Sequence, residues 1–96
     1  MSLENVRFNL FVDEVITRLG DVSNAVKRGD TFTRTAESQY LQGLIWGAQL
    51  GGMITTDQWG SLGSLITDTT YPEDGVGPET SVIGPMVESL LPERLK

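Results

Sequence analysis

Residues 38–56 carry no charged side chain, and glycine recurs at every fourth position through them, at Gly43, Gly47 and Gly51. This stretch constrains the chain more than any other. Tyr40, Leu41, Leu44, Ile45, Trp46, Ala48 and Leu50 wind round most of the circumference of a helix, leaving Ser38, Gln42 and Gln49 as a narrow polar side. A helix that is apolar on most sides is covered on most sides. In a chain of 96 residues, such a helix either forms the centre of the fold or is partly covered by a second copy of the chain.

The segment GLIWGAQLGGMITTDQW at 43–59 fits three physically different objects. The first is a DNA-reading helix-turn-helix, for which Ala48 and Gly52 have the spacing of the small residue and the turn glycine. The helix that would enter the groove, DQWGSLGSLITD, holds two aspartates and no Arg or Lys. Base readout and phosphate contact both need side chains that this helix lacks. The second object is a glycine seam between membrane helices. A span needs about 20 predominantly apolar residues, and 38–56 contains three glutamines, two threonines, a serine and four glycines. The third is a hairpin of two soluble helices, and this reading fits best. Either the glycine line packs inside the molecule against the stripe of the first helix, or it is a self-association face.

The hairpin has a well-marked second arm. Gly51 and Gly52 offer positive φ to close the uncharged helix. Thr55 and Gln58 have the spacing of a capping box, with Ile54 and Trp59 as its hydrophobic staple. The spacing predicts helices over 36–50 and 56–66, the earlier one capped by Thr33 or Thr35 after a polar connector at 30–35. Trp59, Leu62 and Ile66 form the buried side of the later one.

Ahead of the hairpin, Phe8, Phe11, Val12, Val15, Ile16, Leu19, Val22 and Val26 recur at helical spacing and predict one amphipathic helix over 3–28. Ser2 is its N-cap and Gly29 its stop. Gly20 is the place for a kink. After the hairpin, 67–84 reads as a loop, and Gly84-Pro85 as the cap and first residue of a short helix over 85–91 that buries Met86, Val87, Leu90 and Leu91. The β-branched stretch 80–83 is ambiguous. The fold class is therefore all-α: a small helical bundle forming one domain over 1–96, with a long N-terminal helix packed on an αα-hairpin and a short C-terminal helix after a long loop. The last few residues are expected to be disordered.

Composition narrows function by exclusion. Histidine and cysteine are both absent, which removes the commonest general base, thiol nucleophiles and the usual transition-metal ligands. Ser61, Ser64, Ser81 and Ser89 therefore have no activating base. The acidic loop residues Asp68, Glu73, Asp74 and Glu79 miss the calcium-loop pattern, since Pro72 and Glu73 occupy the places of an oxygen ligand and a glycine. No enzyme activity, cofactor, metal site or small-molecule substrate is expected. The net charge is −6, with five basic and five acidic residues in 1–34 but no basic residue from 35 to 93; nucleic acid is not an expected partner. The N-terminal residues do not read as a secretory signal, so the expectation is a cytoplasmic protein.

What remains is a non-enzymatic protein–protein interaction module, a homodimeric adaptor or regulator, with Tyr40, Gly43, Leu44, Trp46, Gly47, Leu50 and Gly51 as its interaction face and itself plus another protein as partners. The alternative is an acidic inhibitor that occupies the basic nucleic-acid-binding groove of a target, as a DNA mimic does.

Overall fold

In the computed structural model, which describes residues 2–93, the chain forms four helices: α1 (Leu3–Arg28), α2 (Thr31–Leu50), α3 (Thr56–Thr70) and α4 (Thr80–Leu90). The helix α1 starts where Ser2 Oγ accepts the Asn5 N–H at 3.1 Å and runs unbroken through Gly20. At about 1.5 Å per residue it spans nearly the full 41 Å long dimension of the molecule. Gly29, at φ 70°, closes it with two reverse bonds: Gly29 N–H to Val26 C=O at 3.1 Å and Asp30 N–H to Ala25 C=O at 2.8 Å. This is the glycine-terminated motif that satisfies the last orphan carbonyls of a helix.

Asp30 then serves twice. It completes the end of α1, and its carboxylate accepts the Thr33 N–H at 3.0 Å to cap α2. The helix α2 therefore begins at Thr31, five residues before the expected start, and neither Thr33 nor Thr35 is its cap. The run 31–35 is polar and β-branched, but weak helix propensity yields to a strong cap placed immediately after the turn. The end of α2 repeats the device one residue later than Gly51. Gly52 takes φ 78°, and Met53 N–H reaches back to Ala48 C=O at 2.9 Å. Gly51 keeps a helical φ of −80°.

Hydrogen bonds from Thr33, its hydroxyl first and then its backbone N–H, hold the Asp30 carboxyl below its ordinary value of 3.8. Backbone N–H groups of Gly77 and Val76 do the same for Asp74. A carboxyl depressed on folding stabilises the fold above its unfolded pKa, and that stability is lost as pH falls through the folded value. The melting temperature should therefore fall as pH drops below the ordinary carboxyl value of 3.8, and Asp30→Asn, which keeps an acceptor but does not titrate, should flatten the decline. A decline in the Asp30→Asn variant as steep as that of wild type would contradict this.

At α3 the capping box is complete: Gln58 N–H donates to Thr55 Oγ1 at 3.0 Å, and Thr55 N–H donates to Gln58 Oε1 at 2.9 Å. The Gln58 amide does more, donating through Nε2 to Leu90 C=O at 3.4 Å and to the Glu93 carboxylate at 2.7 Å. One side chain thus ties the start of α3 to the end of α4. Gln58→Ala should cost about 1–2 kcal/mol by urea denaturation, and Gln58→Glu more, because it sets a second carboxylate against Glu93. Near-neutral melts for both would show that the tie carries no stability.

The helix α3 runs to Thr70, past the expected end at Ile66, because Thr69 and Thr70 are buried and bond back to Leu65 C=O and Ile66 C=O, each at 2.7 Å. The loop shrinks to 71–79, where Asp74 Oδ1 accepts from Val76 N–H and Gly77 N–H, both at 3.0 Å. Ser23 Oγ pins this loop to α1 through Pro78 C=O at 2.7 Å. The helix α4 begins at Thr80, so 80–83 is helical and Gly84 and Pro85 lie inside the helix rather than at its start. Tertiary burial decides this: Ile83 is fully buried against the core, as are Val87 and Leu91. Met86, expected inside, is exposed. The expected disorder of the last few residues concerns 94–96 and lies outside the described residues.

The central element is α1, not α2. Phe11, Val12, Val15, Leu19, Val22, Ser23 and Ala25 are buried on α1, and the helix packs against all three others. On α2 only Leu41 and Ile45 are buried. The fold is the all-α bundle expected, a long first helix packed on an αα-hairpin with a short last helix, but the uncharged helix lies at its side.

Candidate interaction surface

The inner side of α2 is set by Leu41 and Ile45, one turn apart, with Leu44 and Ala48 packed partly against the same core. Helical spacing then fixes what the other side carries. Phe32, Ala36, Gln39, Gly43, Trp46, Gly47 and Leu50 lie opposite the core, and every one of them is exposed. The large members are well open: Phe32 is 84% exposed, Leu50 66%, Trp46 48%, and the adjoining Tyr40 45%. None of these positions is charged.

Glycine gives this face its relief. A Cβ added to Gly43 or Gly47 would meet nothing within 4 Å, so the glycine line does not pack against α1, and one of the two readings of that line falls. Neither glycine is needed for positive φ. Gly43→Ala and Gly47→Ala should each raise the stability of the isolated protomer by about 0.5–1 kcal/mol in a dilute thermal melt, since glycine is a poor helix former. A fall would mean that something already touches those positions.

Neighbouring groups hold the face in place. Arg18 Nε lies 2.6 Å from Glu14 Oε1 and its Nη1 lies 2.9 Å from Glu37 Oε1, which holds the guanidinium more firmly in its charged form. Its Cζ sits 4.3 Å over the Tyr40 ring, so an ion-paired cation from α1 backs one edge of the face. At the other edge the Trp46 ring tilts against Trp59 of α3, with centroids 5.4 Å apart. Beyond Trp59 a shallow groove of about 400 Å³ runs between α2 and α3, with Gln42 on one wall and Gly60, Gly63 and Thr67 on the other.

Of the residues expected on the interaction face, Tyr40, Gly43, Trp46, Gly47, Leu50 and Gly51 are exposed, and Leu44 leans toward the core instead. Two contributors are not evident from the sequence. Phe32 falls in the expected connector, although its spacing of i+7 to Gln39 and i+11 to Gly43 places it on the stripe once the helix extends back to 31. Trp59 reaches the face only by tertiary packing.

The geometry also bears on the other readings of 43–59. Ser38 and Thr70 hydroxyls lie 3.1 Å apart at one end of the α2–α3 pair, and Gln49 Nε2 donates to Thr56 Oγ1 at 3.3 Å at the other. Axes that stay close at both ends form an antiparallel hairpin, not the roughly 90–120° crossing of a helix-turn-helix. Among the described residues, no helix is long and apolar enough to cross a membrane, and no three acidic side chains gather as a metal would require. Comparison with protein-family models, with curated proteins and with solved structures finds no match.

Proposed function

We propose that this chain is a non-enzymatic protein-interaction module, a small cytoplasmic adaptor or regulator, that docks through the outward face of α2. One observation carries the reading: a continuous, uncharged helix face with Phe32, Tyr40, Trp46 and Leu50 exposed beside glycines that serve no packing role within the protomer. Scattered exposed apolar residues are ordinary, but a contiguous patch of this kind marks a contact surface. The non-enzymatic part rests on the absence of histidine and cysteine and on acidic groups already engaged in caps and ion pairs, as at Asp30, Asp74 and Glu37. A photo-crosslinking residue at Gln39 should give discrete protein adducts in cells, and the same residue at Asn24, on the exposed side of α1, should not. Equal labelling from both positions, or none from Gln39, would contradict the reading.

A second reading has separate support. Arg18, Lys27 and Arg28 turn onto carboxylates of their own chain, while Asp57, Asp68 and Glu73 are exposed and enter no ion pair among the described residues. An acidic inhibitor of a basic groove would use that surface, and its binding would weaken steeply with salt. Binding indifferent to salt would remove it.

A further inference from the structure

We infer that the occupant of the α2 face is a second copy of this chain, packed helix against helix across Gly43 and Gly47. The inference rests on the docking reading above and names its partner.

Area is the first argument. An aromatic side chain offers roughly 150–250 Å². At the exposures of Phe32, Tyr40 and Trp46, the three rings alone leave roughly 350 Å² open. Leu50, Gln39 and the bare backbone at the two glycines carry the face toward the ~800 Å² per partner that a stable interface uses.

Charge is the second. Each copy carries −6, and carboxylates stand on the exposed sides of the other helices, among them Asp13 and Asp21 on α1 and Asp57 and Asp68 on α3. Two copies approaching through α3, which exposes Asp57 and Asp68 and carries no cation, set like charge against like, whereas α1 offers a mixed face with Arg7, Lys27 and Arg28 exposed beside its carboxylates. The α2 face is uncharged from 38 to 56, so a copy meets it without that opposition, and a strongly charged partner finds no complement there.

Shape is the third. Rings and glycines share one stripe, so one copy supplies both the projections and the hollows. A two-fold contact requires a patch that is its own complement. Glycines on crossing helices let backbones approach closely, which accounts for two positions where the protomer's own packing leaves a Cβ nothing to touch.

Light scattering with sedimentation velocity on the full chain tests this. At micromolar to sub-millimolar concentration the wild type should run at twice its 10.5 kDa chain mass. The double variant Gly43→Gln, Gly47→Gln and the single variant Trp46→Gln should each weaken association by about tenfold or more, with helical circular dichroism retained, and Asn24→Lys should leave it unchanged. A wild type that stays monomeric across the range, or a dimer that ignores the α2 variants, would overturn the inference. The Gln39 crosslink separates the two levels: a monomeric wild type with adducts of other masses leaves the docking face standing and removes self-pairing, whereas a monomer without adducts removes both.

Discussion

Replacing Ile45 with alanine lowers the unfolding free energy by about 3 kcal/mol, while replacing its neighbour Trp46 with glutamine lowers it by about 1 kcal/mol in dilute solution. The two residues are adjacent in sequence but point about 100° apart round the helix, one into the core and one toward solvent. Ile45 is fully buried, and its Cδ1 lies 3.9 Å from where a Cβ at Gly63 would sit, so truncation removes a side chain wedged between α2 and α3. An isoleucine-to-alanine change in such a place loses transfer energy and leaves a cavity. A domain of this size holds about 5–15 kcal/mol in total, so the loss is a large fraction of the whole. Trp46 is half exposed, and its ring packs against the tilted Trp59, an arrangement worth about 0.5–1.5 kcal/mol beyond area. Urea midpoints for the two variants test this. Equal losses, or a larger one at Trp46, would mean that α2 is turned the other way.

Replacing Pro85 with alanine should stabilise the protein by about 2 kcal/mol. Pro85 stands inside α4, where it has no N–H for the Ser81 carbonyl and its ring crowds that carbonyl. Proline also disfavours helical backbone in the residue before it through that residue's Cβ. Gly84 has none, and a Cβ added there would make only an ordinary contact, 3.9 Å from Ile16 Cγ2. The pair is thus tolerated where most dipeptides would break the helix. Alanine restores the missing donor. Loss of stability in Pro85→Ala would contradict the placement of Pro85 within α4 and favour the alternative that Gly84-Pro85 suggests by itself, a helix starting at 85.

These two sites show where sequence was informative and where it was not. The bundle was legible because signals of several kinds agreed. The apolar stripe of α1 kept its phase through Gly20, and the Thr55/Gln58 box fixed the start of α3 through bonds local to four residues. Local rules failed where tertiary burial decided. Thr80 and Val82 looked β-branched and ambiguous, yet Ile83 between Val82 and Gly84 packs into the core and carries the first turn of α4 with it. Thr69 and Thr70 looked like loop, yet their hydroxyls bond back to the preceding turn and let α3 continue into the interior. For α2 the composition left two places open, the centre of the fold or a site partly covered by a second copy, and the protomer excludes the first. The composition of α2 suits a helix covered all round, and a protomer of this size covers one side of it. Half of the interaction face followed from that composition. Phe32 depended on the Asp30 cap that extends the helix back to Thr31, and Trp59 on its packing against Trp46.

The most direct test of the account is acrylamide quenching of Trp46 in a Trp59→Phe variant, where it is the remaining indole, followed as the chain is concentrated. The account predicts an accessible indole in dilute solution that becomes shielded with rising concentration, with the shielding lost when Gly43 and Gly47 are both replaced by glutamine. An indole already shielded in dilute solution, or one equally accessible at every concentration, would contradict it.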